Sequence, residues 1–174
     1  LFLLLVIVPL KTYALTDTAK STIAMDMDSG RILYEKNANE QRLIASITKI
    51  MTATVAIENG NLNKEITIGE EVLKMYGSNI YVELGEKMTL KNLLYGLLLR
   101  SGNDAAKDEE TFVEMMNKKA KELGMKNTIF RNSHGLDEET KNYSSAKDMA
   151  ILSSYANTLP VYKEISKTKK WTVQ

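Results

Sequence analysis

The 174-residue sequence predicts a mixed α/β domain, on three observations. Apolar residues recur at helical spacing in four separated segments. Short alternating runs lie between those segments and read as strands. Glycines and polar turn residues punctuate the joins. A chain of this length can form one domain of ordinary size with a sizeable core.

Elements follow in chain order. Leu1 to Leu10 is almost wholly apolar, too short to span a bilayer and suited to the apolar region of a signal peptide. Thr12-Tyr13-Ala14 offers a small-residue cleavage site, so residues 1–14 are read as a partial signal peptide and 15–174 as the folded part. Ser21–Met27 and Arg31–Glu35 alternate around an Asp28-Ser29-Gly30 turn and predict a β-hairpin. Asn37–Leu43 reads as a loop. Ile47, Ile50, Met51 and Val55 then mark a helix face that Gly60 closes. Ile66–Ile68 is a strand candidate, Glu70–Met75 one or two helical turns, and Ile80–Leu84 a further alternating strand. Leu90, Leu93, Leu94, Leu97 and Leu98 form a buried helix stripe with Thr89 as N-cap. Phe112, Met116, Ala120 and Leu123 define the next amphipathic face, ended by Gly124. Asn127–Phe130 reads as extended, and Asn132–Asp137 as a turn. Ser145-Ala146-Lys147-Asp148 opens a last helix, with Met149, Leu152, Tyr155 and Leu159 inward, which stops at Pro160.

Several classes of function are excluded early. Lys and Arg number 23 against 22 Asp and Glu, which gives no electrostatic case for nucleic acid. Cysteine is absent, so thiol catalysis and disulfides are ruled out. His134 is the single histidine and reads as a turn residue; it cannot supply a multi-histidine metal cluster.

The chemistry points to Ala45-Ser46-Ile47-Thr48-Lys49, a Ser-x-x-Lys at the start of a helix. Residues three apart share a helix face, so Lys49 can sit beside Ser46. A serine hydroxyl is a weak nucleophile and needs an adjacent base. A lysine amine serves if burial or nearby positive charge favours its neutral form. The N–H groups at a helix start act in the same direction and also favour a developing oxyanion. Ser101-Gly102-Asn103 follows about fifty residues later, in the loop that ends the leucine helix. Alone, each motif is weak; the ordered pair is specific.

These segments carry a resemblance. Arg42–Thr52 is similar to the active-serine region of the low-molecular-mass penicillin-binding proteins, the serine-type D-alanyl-D-alanine carboxypeptidases of peptidase family S11. Leu98–Ala106 resembles their second motif, and Asn132–Asp137 and Tyr143–Ala150 resemble two further family segments. The similarity runs from about Thr22 to the C-terminus. It implies a β-lactamase/transpeptidase-like α/β fold: an antiparallel sheet flanked by helices, with a helical subdomain carrying Ser101. By resemblance, Ser46 is the nucleophile, Lys49 its base, Ser101 a proton carrier to the leaving amine, and Asn103 a holder of substrate and Lys49. The implied partners are peptidoglycan stem peptides ending in D-Ala-D-Ala, with β-lactams as acylating inhibitors. No cofactor, metal or nucleic acid is implied. The implied location is outside the cytoplasmic membrane, in the cell wall or periplasm.

Departures from the family pattern set further expectations. Ile44 stands where members usually have proline, which loosens the helix entry. About ten helical residues are expected to be missing after Ala106. Lys167-Thr168-Lys169 has lysine where a Lys-Thr-Gly motif needs glycine for close backbone approach, so it is not read as the third motif. The chain is therefore read as the N-terminal part of the catalytic domain, without the later β-rich domain or the C-terminal membrane-anchoring helix, and with impaired activity. Two alternatives stay open. One is a β-lactamase, for which Glu138 to Asn142 has a suggestive Glu-x-x-x-Asn spacing; the other is a non-catalytic cell-wall-peptide binding module.

Overall fold

A computed structural model describes residues 17–74, 76–103, 110–137 and 140–172. The expected signal segment, the expected deletion after Ala106 and Glu138-Glu139 lie outside the described residues. Among those described, helices and antiparallel strand pairs alternate, as an α/β fold requires.

The predicted hairpin forms. Strands β1 (Thr22–Met25) and β2 (Ile32–Lys36) pair antiparallel, with a register shift at Ala24/Met25. The segment expected as a loop contains a strand instead: β3 (Arg42–Leu43) pairs with β6 (Tyr143–Ser144), two short strands a hundred residues apart. Ile129 bridges Tyr143 on the other side of β6. Strands β4 (Glu65–Thr67) and β5 (Lys87–Thr89) form a third pair. No strand forms over Ile80–Leu84, because Tyr81 takes a positive φ of 64° that breaks the extended alternation. Val82 is nevertheless buried with Ile68, Met88 and Leu93.

Helix α1 (Lys49–Asn59) is the centre of the molecule. Its residues Met51 to Val55 are all buried, as in a helix covered on every side. On one flank, Met51 and Val55 pack with Met116 and Ala120 of α3 (Glu110–Glu122) and with Met149 and Leu152 of α4 (Ala146–Ala156). On the other flank, Ala53 packs with Leu94 and Leu97 of α2 (Leu90–Arg100) and Ile165 of α5 (Pro160–Lys167). Each large buried side chain contributes about 1.5–3 kcal/mol of transfer free energy, so α1 is fixed from both sides.

The caps follow the sequence. Thr89 Oγ1 accepts from the Asn92 amide at 3.2 Å, and Ser145 Oγ accepts from the Asp148 amide at 3.2 Å. Gly124 takes a left-handed φ of 73° just past α3. Gly60 is needed for space rather than for its dihedral: a Cβ there would meet Leu90 Cδ2 at 2.4 Å. Pro160 departs from expectation. Helix α4 ends four residues earlier, and Pro160 opens α5 at a position where its missing N–H costs nothing.

Candidate active site

Ser46 does not lie on the α-helix. It sits on a single 3-10 turn, Ala45–Thr48, that leads into α1. The tighter turn rotates Ile47 outward, so Ile47 is 51% exposed and leaves the predicted apolar face. Ala45, just before the serine, holds a positive φ of 43°. A non-glycine residue persists there only when its surroundings impose it.

Those surroundings are the turn of residues 132–136. Gly135 has φ 80°, and a Cβ on it would lie 2.1 Å from the Ala45 carbonyl oxygen and 3.0 Å from the Ser46 amide nitrogen. The turn therefore lies backbone-to-backbone on the nucleophile turn. The β3–β6 pairing delivers it, since it ties the residues before Ile44 to those after Asn142.

This docking carries the His134 carbonyl to Lys49. The Lys49 Nζ donates at 2.7 Å to His134 O, at 2.7 Å to Asn103 Oδ1, and lies 3.3 Å from Ser46 Oγ. Asn103 is itself held: its Nδ2 donates to Tyr76 O at 2.5 Å, and its amide donates to Ser78 O at 2.8 Å. Lys49 is only 2% exposed, and burial lowers its pKa from the usual 10.5 to about 8. At neutral pH that raises the uncharged fraction about 300-fold, to roughly one amine in ten.

The hydrogen-bond chemistry fixes a direction. A neutral amine has two N–H groups and one lone pair. Two of the three partners, His134 O and Asn103 Oδ1, can only accept. They take the two protons, and the lone pair is left facing the Ser46 hydroxyl. In that state Lys49 is arranged to accept the Ser46 proton.

Ser46 and Lys49 open onto a cavity of about 260 Å³ that Ser101, Leu98, Tyr162 and Ser166 also line. Ser101 ends α2 in the left-handed conformation, φ 55°, and its amide donates to Gly96 O. The four residues singled out in the sequence thus converge. Ser46 and Asn103 each contact Lys49 directly, and Ser101 shares the cavity with Ser46 and Lys49. Lys167 and Thr168 end α5, outside the residues lining that cavity. The sequence reading missed the His134 carbonyl, which no residue type announces, and the α5 side chains Tyr162 and Ser166.

A serine with a desolvated lysine at i+3, set between a helix core and antiparallel strands, defines the class of active-serine acyl-transfer folds. The comparisons then identify the family. A family model for D-alanyl-D-alanine carboxypeptidases, peptidase S11, matches residues 10–174, and the chain belongs to that family. It is 44% identical over 170 residues to the D-alanyl-D-alanine carboxypeptidase DacF of Bacillus subtilis, covering 90% of this chain and 43% of that protein. Its fold matches the crystal structure of a D-alanyl-D-alanine carboxypeptidase from Mycobacterium tuberculosis with TM-score 0.86 and 30% identity, over 92% of this chain and 64% of that one. It also matches penicillin binding protein 5 from Haemophilus influenzae with TM-score 0.84 and 32% identity, over 94% of this chain and 52% of that one. The chain thus spans under half the length of DacF.

Proposed function

We propose that this chain carries the nucleophile half of a serine D-Ala-D-Ala carboxypeptidase that trims peptidoglycan stem peptides. The observation that carries the reading is the Lys49 amine, whose two N–H directions are taken by carbonyl acceptors while its remaining position faces Ser46 Oγ. Ser46 Oγ attacks the carbonyl carbon between the two terminal D-alanines as its proton passes to Lys49. The tetrahedral oxyanion forms against the Ser46 backbone N–H. Collapse breaks the peptide C–N bond; the proton taken up by Lys49 passes through Ser101 to the leaving amine, and D-alanine departs with Lys49 neutral again. Water, deprotonated by Lys49, then hydrolyses the ester and restores Ser46. By resemblance the second oxyanion donor and the substrate-carboxylate group come from a Lys-Thr-Gly strand. A donor of that kind is worth on the order of 10²–10³ in rate.

The substrate places the reaction outside the cytoplasmic membrane, in line with the apolar Leu1–Leu10 segment. Among the described residues no helix is long and apolar enough to cross a membrane. The test is intact mass after incubation with benzylpenicillin, with Ser46→Ala alongside. A penicilloyl adduct on the wild type that vanishes in Ser46→Ala is the expected result. A folded wild-type chain that stays unmodified would overturn the claim that these residues alone make a competent nucleophile.

A further inference from the structure

Beneath the Ser46 turn lies a polar cluster with no exposure to solvent. Asn132, Ser133 and Asn142 are each 0% exposed, as is Thr48. Buried amides in this number are costly unless satisfied, and Asn142 and Asn132 supply most of the bonds here. Asn142 Oδ1 accepts from the backbone amides of Arg131 at 2.7 Å and Asn132 at 3.1 Å. Its Nδ2 donates to Asn132 O at 3.0 Å and to Thr48 Oγ1 at 2.9 Å. Asn132 in turn closes the next turn. Its Oδ1 accepts from the Gly135 amide at 2.7 Å, and its Nδ2 donates to Leu136 O at 3.0 Å and Thr140 Oγ1 at 2.9 Å.

The consequence is geometric. Asn142 grips both sides of the Lys49–His134 contact. On one side it holds Thr48, the residue before Lys49. On the other it holds Asn132, which shapes the turn presenting the His134 carbonyl. Thr52, one turn further along α1, adds a second tie by donating to Ser133 O at 2.6 Å. The His134 Nδ1 accepts from the Leu136 amide at 3.0 Å within its own loop. We propose that Asn142 is a positioning residue for Lys49: its side chain sets the separation of Thr48 and the 132–136 turn, and so fixes the carbonyl that orients the base. This rests on the reading of Lys49 as the base of Ser46.

A purely structural staple would do something different, and the molecule holds one for comparison. Asn117 on α3 clamps the same segment a few residues earlier. Its Nδ2 donates to Phe130 O at 2.8 Å, and its Oδ1 accepts from the Phe130 amide at 2.9 Å. It reaches neither Thr48 nor the 132–136 turn.

The experiment follows the ε-carbon of Lys49 by NMR in the full chain labelled with 13C-lysine, the resonance being assigned with Lys49→Met. The wild-type midpoint is expected near 8. Asn142→Ala should let water reach the amine and move the midpoint up by about one pH unit or more, because the burial that depresses it is relieved. Thr48→Val removes one bond of the network at constant shape and should shift it in the same direction by less. Asn117→Ala should lower the melting temperature and leave the Lys49 midpoint in place. If Asn142→Ala does not fold, Thr48→Val against Asn117→Ala carries the comparison. Midpoints that stay in place in every folded network variant would overturn the proposal. Benzylpenicillin acylation of the wild type separates the two readings. A moving midpoint without acylation leaves the positioning role standing and removes the catalytic one; acylation with immobile midpoints does the reverse.

Discussion

On one side of Lys49, the segment 130–145 buries Asn132, Ser133, Asn142 and Ser144 completely; on the other, α2 and α5 bury Leu94, Leu97 and Ile165. Both walls are well packed, but they hold the site by different physics. Apolar burial is non-directional, so the leucine wall can shift slightly and keep most of its free energy. Hydrogen bonds among buried amides are directional, and an unmade one costs about 1–3 kcal/mol. Of the two walls, the polar one can therefore specify the 2.7 Å contact of the His134 carbonyl to Lys49, and damage to function should be greater there than among the leucines.

Replacing the group between the walls has the largest expected effect. Lys49→Met should slow acylation of Ser46 by benzylpenicillin about 10²–10⁴-fold, the usual weight of a general base. The same variant exposes the linkage. Lys49 has a folded pKa of about 8 against its ordinary 10.5. Below pH 8 both folded and unfolded states hold the proton, and the buried cation costs about 3 kcal/mol. From pH 8 to 10.5 the folded state releases the proton while the unfolded state keeps it, so stability rises with pH across that window and levels off above it. Urea midpoints of wild type and Lys49→Met should diverge in favour of the wild type as pH climbs from 8 to 10.5. Parallel curves would mean that Lys49 is not desolvated.

Gly135→Ala comes next. At φ 80° a Cβ would sit 2.1 Å from the Ala45 carbonyl oxygen, against backbone that has nowhere to move. A loss of about 3 kcal/mol or more is expected from dihedral strain plus overpacking. Gly124 is the matched control. It has φ 73° but nothing within 4 Å of a built Cβ, so Gly124→Ala should cost only about 1 kcal/mol. Equal urea midpoints for the two variants would contradict the tight docking of the 132–136 turn on Ala45.

How much of this was legible in the sequence divides along the same line. The apolar side was readable. The leucine stripe of α2, the Met116–Ala120 face and the Thr89 and Ser145 caps all form where periodicity and capping chemistry put them, because each is decided within one or two helical turns. The meeting of Ser46, Lys49 and Asn103 was likewise legible, since motif spacing encodes the side-chain contacts that join them. The polar wall was not. Its key contact uses a backbone carbonyl, which any residue at position 134 would supply. Its frame depends on β3 meeting β6 across about a hundred residues, a pairing of two residues on each side that no local pattern announces. Ile47 and Pro160 were misread because a 3-10 turn and a second helix replaced the single regular helices that each local pattern implied. Ile80–Leu84 failed as a strand through one positive φ at Tyr81.

Asn103→Ala tests the directional contact that reaches Lys49 from the loop after α2, without touching the 132–136 turn. It removes the second carbonyl acceptor of Lys49, so one N–H loses its direction and the lone pair is no longer confined to Ser46. A hydrogen bond to a charged or proton-accepting group of this kind is worth about 1.5–3 kcal/mol, which predicts a fall in acylation rate of about 10- to 10²-fold. Saturation kinetics with benzylpenicillin should place the loss in the limiting acylation rate. A loss confined to the concentration dependence would make Asn103 a binding group alone.

The smallest effect is expected on the opposite wall. Trp171 stacks on Tyr95 with ring centroids 3.7 Å apart and planes 4° from parallel, and the Tyr95 hydroxyl donates to Glu164 at 2.7 Å. The Lys91–Glu164 pair beside it is largely solvated and contributes about 0–1 kcal/mol. Trp171→Ala should therefore cost about 1 kcal/mol, the ordinary weight of an aromatic pair. It should leave both the acylation rate and the Lys49 midpoint unchanged, because no directional bond runs from the stack to the base. A tenfold fall in acylation in Trp171→Ala would show that the apolar wall also sets the position of Lys49, and the contrast between the two walls would then be one of composition only.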